Sequence, residues 1–103
     1  MTTRVIVTAR VRDFSRSLAP EPRRKLWRAI RELAGDKGDV KLLEGQLSGC
    51  WRLRTGNVRV IFEAKAIGGA REIFCFYANY RSVVYVILEQ LLASGLNEEL
   101  KQN

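Results

Sequence analysis

The chain has 103 residues, 47% of them hydrophobic, with 18 Lys and Arg against 11 Asp and Glu, a net charge of +7 and no histidine. That is the size and composition of one globular domain, 1–103, and no apolar run approaches the ~20 residues of a membrane-spanning helix. The missing histidines exclude Ser-His-Asp and Cys-His nucleophile systems and His-ligated zinc, and Cys50 and Cys75 form no CxxC motif.

Both cysteines sit in strand-like runs and are expected as small buried hydrophobes in a reducing compartment. MTTRVIVTAR has no secretory-type apolar core or cleavage site, so a cytoplasmic location is expected. The charge is uneven. Residues 1–34 carry nine basic and three acidic side chains, whereas residues 66–103 carry three and four. A basic half of this kind suits a polyanionic partner, nucleic acid before membrane, because few large apolar anchors accompany it.

In chain order, the β-branched run RVIVT (4–8) reads as an opening strand. Over 9–18, Val11, Phe14 and Leu18 fall on one side of a short amphipathic helix. Pro20-Glu21-Pro22 breaks it and opens a second helix, with Pro22 in the first turn and Gly35 as the stop. Leu26, Trp27, Ile30, Leu33 and Ala34 form that helix's apolar stripe. Arg23, Arg24, Lys25, Arg28 and Arg31 make its basic face, suited to RNA phosphates. Residues 36–49, with three glycines, read as a connecting loop.

A three-stranded antiparallel meander follows: CWRLR (50–54), VRVIFEAK (58–65) and REIFCFYAN (71–79), joined by turns at Thr55-Gly56-Asn57 and Ile67-Gly68-Gly69-Ala70. Alternation puts Arg52 and Arg54 on one face, with Trp51 and Leu53 on the other. Residues 82–94 start with β-branched residues, yet Val84, Ile87, Leu88, Leu91 and Leu92 keep helical spacing. A helix is expected, capped by Ser82 and stopped by Gly95, with 96–103 fraying. The order is β-α-α-β-β-β-α, an α+β domain with a helical hairpin on a twisted antiparallel sheet.

The stretch KLLEGQLSGCWRLRTGNVRVIFEAK has a Lys-Leu-x-x-Gly step, then Gly-Cys-aromatic-basic-x-basic, a tight turn and x-Arg-Val-Ile-aromatic. With the helical hairpin before it and Tyr-Arg-x-x-x-Tyr at 80–85, this resembles the RelE/ParE superfamily of bacterial toxins from toxin–antitoxin pairs. The resemblance spans about residues 4–92 and implies a RelE-like fold. It further implies a metal-independent endoribonuclease that cuts mRNA on the ribosome, needs no cofactor and is neutralised by a cognate antitoxin. By motif, Arg52, Arg54, Arg59, Arg81 and Tyr85 take the catalytic positions. Arg52 and Arg54 stand where the best-known members carry lysines. Since guanidinium is always protonated, the general base stays open between Tyr85, Glu63 and a site that works by positioning. A ParE-like gyrase inhibitor and a non-catalytic basic nucleic-acid-binding module are the rival expectations for the same scaffold.

Overall fold

The computed structural model describes residues 2–95, so the expected fraying of 96–103 lies outside the described residues. Five strands and three α-helices form an α+β domain in which one mixed sheet is covered on both faces.

Strand β1 (Thr2–Val7) leads into helix α1 (Ala9–Arg16) and helix α2 (Pro20–Glu32). Pro20 takes the first helical position, where a missing N–H costs nothing, and Pro22 lies in the same first turn as expected. The end of α2 corrects the expectation of a Gly35 stop. The α-helix closes at Glu32 and tightens into a 3-10 turn at Leu33–Gly35. Asp36 then takes the left-handed conformation at φ 58°. Asp and Asn tolerate that region better than most side chains, and the Arg71 guanidinium pairs with the Asp36 carboxylate there.

A second correction concerns 36–49. This segment holds strand β2 (Asp39–Leu42) and a 3-10 turn at Gly45–Leu47. Every β2 residue is exposed, so the burial contrast that marks a strand is absent at this sheet edge. Strands β3 (Trp51–Thr55), β4 (Val58–Ile67) and β5 (Ala70–Tyr80) make the expected antiparallel meander. The sheet order is β1-β5-β4-β3-β2, with β1 parallel to β5. The chain between them, through both helices and strands β2 to β4, supplies the long crossover that parallel pairing requires.

One face of the sheet packs on α1 and α2. Val11, Leu26, Ile30 and Leu33 meet Leu53, Val60, Phe62, Ile73 and Cys75, with Trp27 and Trp51 packed at the margin of this core as their stripes imply. Truncating Leu26 or Ile30, both essentially without solvent exposure, to Ala would cost about 2–5 kcal/mol. The opposite face is closed by helix α3 (Val84–Ala93), through Val84 and Leu88 on Ile61, Phe76 and Tyr77. Val83 is its N-cap and no side chain caps it, which corrects the expectation for Ser82. Gly95, at φ 77°, follows the last turn, and its N–H bonds the Leu92 carbonyl.

Between Ile61 and Phe62 the β4–β5 register slips by one residue. Phe76 and Tyr77 therefore both enter the α3 side of the core, while Cys75 and Ala78 enter the helical-hairpin side. Thr8 locks this irregularity, its N–H donating to the Cys75 carbonyl and its hydroxyl to the Phe76 carbonyl. Cys50 and Cys75 are buried in the two different core layers. Burial pushes the Cys75 thiol up to about 12. Among the described residues no helix is long and apolar enough to cross a membrane.

Candidate functional site

On the α3 side of the sheet, beside the core, lies an open cleft of about 360 Å³ lined by Lys41, Leu43, Arg52, Arg54, Arg59, Arg81 and Tyr85. All five residues expected at the catalytic positions line it, although they come from β3, β4, the turn after β5 and α3. The ladder explains the convergence. Arg52 and Arg54 share a face of β3, and Arg59 of β4 stands directly opposite Arg54. Directly opposed side chains have Cβ atoms about 4.5–5.5 Å apart, so two like charges here oppose folding.

Three features hold the charges together. Arg59 is 7% exposed, and its Nη1 donates to the carbonyls of Gly56 at 3.0 Å and Val58 at 3.1 Å. It forms the floor of the cleft. Asp39 of β2 is the counter-charge, with Oδ2 2.9 Å from Arg54 Nε and Oδ1 3.4 Å from Arg52 Nη1. Arg81 is set by its backbone N–H, which bonds the Asn57 carbonyl at 2.9 Å and ties the end of β5 to the β3–β4 turn. Its side chain is left exposed. Tyr85 is half-buried on the first turn of α3 and packs at the edge of that core.

The electrostatics follow. Arg59 lies below the usual guanidinium range, first because it is buried, next because Arg54 faces it; Tyr85 works in the opposite direction, and Arg52 and Arg81 add to the lowering. The group stays cationic at neutral pH, but removal from water and crowding by like charges leave this cluster in need of an anion. Arg52 and Arg54 already share one carboxylate, and guanidinium groups bind carboxylate and phosphate oxygens in the same way.

Sequence reasoning missed Lys41, Leu43 and Asp39, all within the segment read as a loop. The alternation of Val40 and Leu42 around Lys41 was the available signal. Glu63, weighed as a carboxylate base, does not line the cleft; its Oε2 is 3.9 Å from Lys65 Nζ.

The expected basic face of α2 is present as Arg24, Lys25, Arg28 and Arg31, all exposed. Arg23 differs from them. Its guanidinium donates to the carbonyls of Ser15, Arg16 and Leu18 at 2.9–3.1 Å, and so satisfies the end of α1. Lys25 and Arg28 line a depression that Arg54 also lines, although α2 covers the opposite face of the sheet from the arginine cleft.

Solved structures share this architecture. The YoeB/ParE toxin from Agrobacterium tumefaciens superposes with a TM-score of 0.62 at 17% identity, covering 76% of this chain and 98% of that one. A chain of the RelBE2 toxin–antitoxin complex from Mycobacterium tuberculosis gives 0.53 at 21% identity over 79% of this chain and 100% of its own. A chain of the RelB–RelE antitoxin–toxin complex from Methanococcus jannaschii gives 0.55 at 17% identity, over 80% and 96%. No protein-family model matches the sequence, and no curated protein matches it significantly. The chain has the fold of the RelE/ParE toxins.

Proposed function

We propose that this protein is the toxin of a toxin–antitoxin pair and acts in the cytoplasm as an endoribonuclease on ribosome-bound mRNA. The observation that carries this reading is the convergence of Arg52, Arg54, Arg59, Arg81 and Tyr85 in one cleft. RNA brings its own nucleophile, the 2′-hydroxyl, which attacks the adjacent phosphorus and releases a 5′-hydroxyl end and a 2′,3′-cyclic phosphate. Such a reaction asks the protein for in-line positioning and for fixed positive charge where the phosphorane-like state gains negative charge.

Arg81 holds the scissile phosphate, and Arg52 and Arg54 exchange Asp39 for its equatorial oxygens. Arg59, already bonded to backbone carbonyls, fixes the floor and contributes field rather than a moving contact. The Tyr85 hydroxyl orients the 2′-hydroxyl and accepts its proton while passing its own to water. Arg24, Lys25, Arg28 and Arg31 bind flanking RNA phosphates, which carry affinity more than rate. In this reading the fixed positive charge at the phosphate comes from the arginines rather than from a divalent ion.

The RelBE neighbours are complexes with antitoxins, and the exposed cationic cleft suits an acidic antitoxin segment. Charge reversal at Arg52 or Arg81 is expected to weaken antitoxin binding together with activity; unchanged affinity in both would move the inhibitor elsewhere. The function is tested by mapping mRNA 5′ ends after brief induction. New ends within translated codons, persisting on intact purified ribosomes in the presence of a chelator, are the expected result. DNA breaks without new mRNA ends would favour gyrase inhibition instead.

A further inference from the structure

We propose that Lys41 is the proton donor to the leaving 5′-oxygen. This rests on the ribonuclease reading above and supplies the step it leaves open. Strand scission creates an alkoxide that must gain a proton as the P–O5′ bond breaks. Four of the side chains lining the cleft are guanidinia, which effectively never give up a proton. Leu43 has none to give, and Tyr85 serves the nucleophile. The remaining lining residue is Lys41, whose ammonium carries a transferable proton.

Its placement suits the role. Lys41 is directly opposite Arg52 in the β2–β3 ladder, so its side chain enters the cleft beside a phosphate-binding arginine. Asp39 pairs with Arg52 and Arg54; among the described residues no ion pair or hydrogen bond engages the Lys41 ammonium. In-line displacement requires the nucleophile and the leaving group on opposite sides of phosphorus. Tyr85 belongs to the helix that follows and packs on β5, whereas Lys41 is on β2, at the far edge of the order β5-β4-β3-β2. The arginines of β3 and β4 line the cleft between them. The 2′-oxygen forms its bond to phosphorus while its proton goes to Tyr85 and on to water. The P–O5′ bond breaks with its electron pair on the 5′-oxygen, which takes a proton from Lys41 Nζ, and water then reprotonates the amine.

The test is a leaving-group comparison on ribosomes programmed with a short mRNA. One substrate has the ordinary linkage at the cleaved position; the other carries a sulfur in place of that 5′-oxygen, which leaves as a thiolate without needing a proton. Lys41→Arg keeps the charge and removes the transferable proton. Because Lys41 is exposed on a short edge strand, the variant should melt with the wild type. It should cut the ordinary substrate about 10²-fold more slowly and the sulfur-linked one at the wild-type rate. Equal slowing of both substrates would overturn the proposal in favour of a charge-positioning role, and so would an ordinary substrate cut at full rate. A wild-type protein that cuts neither substrate would overturn the ribonuclease reading itself, and this proposal with it.

Discussion

The molecule carries two basic regions, and they differ in how their charge is built. The face of α2 takes Arg24, Lys25, Arg28 and Arg31 from one helix; Lys25 has only a 3.9 Å pair to Glu21. Charges of this sort are hydrated, screened within about 10 Å at 0.1 M salt and free to move. The cleft gathers its cations from β2, β3, β4 and the turn after β5, and tethers Arg52 and Arg54 to Asp39 and Arg59 to backbone carbonyls. Folding has already met the cost of bringing these like charges together. A bound phosphate therefore gains a preorganised field there, and only a diffuse attraction on α2. The first arrangement suits catalysis and the second suits docking.

The sharpest way to break this contrast is Arg81→Ala. If the cleft stabilises a transition state, losing one preorganised donor should slow cleavage about 10²–10³-fold, with little change in melting temperature because the side chain is exposed. The measurement is single-turnover cleavage on programmed ribosomes. An Arg81→Ala protein of full activity would leave the cleft no more catalytic than the helix face.

Tyr85→Phe comes next. It keeps the half-buried ring against the α3 core and removes only the hydroxyl, so it separates proton transfer from packing. The expected loss is about 10²-fold in rate, again at nearly constant thermal stability. Full activity would return Tyr85 to a packing role.

The helix face should respond in a different quantity. Replacing Arg24, Arg28 and Arg31 together by Ala should weaken ribosome or RNA binding. The slope of log affinity against log salt should fall by about one for each phosphate that is no longer neutralised. Cleavage of bound substrate should hardly change. Arg23 is left out because its bonds to the end of α1 make its removal a stability experiment. A fall in the bound-state rate would show that α2 reaches the reacting centre.

The unequal legibility of the two regions in the sequence has a physical cause. The α2 face repeats at helical spacing, a local signal, and strands β3 to β5 announce themselves by alternation and tight glycine turns. The cleft's arginines are legible because each lies on or next to such an element. Its outer wall is not. Strand β2 is an exposed edge of four residues, so Lys41 and Asp39 look like loop. The parallel pairing of β1 with β5 joins residues some 68 positions apart, which leaves no local trace. The slip at Ile61/Phe62 breaks the period-2 rule in the middle of an otherwise regular strand, so Phe76 and Tyr77 share a face that alternation would have divided between them.

The smallest expected effect belongs to the residue that makes the cleft differ most from the helix face. Asp39 neutralises part of the charge of Arg52 and Arg54 while fixing their directions. Its carboxylate is about half exposed, and pairs of this kind are worth roughly 0.2–1 kcal/mol. Asp39→Asn should therefore cost less than about 1 kcal/mol of stability, read by denaturant melts. The same change removes an anion that competes with phosphate, so RNA should bind more tightly. Because the guanidinia then lose their tether, turnover per bound RNA should fall by a small factor. Tighter binding with slower turnover is the signature of a carboxylate that trades affinity for geometry. If both quantities rose together, Asp39 would be a simple competitor, and the cleft would owe its order to the ladder and to Arg59 alone.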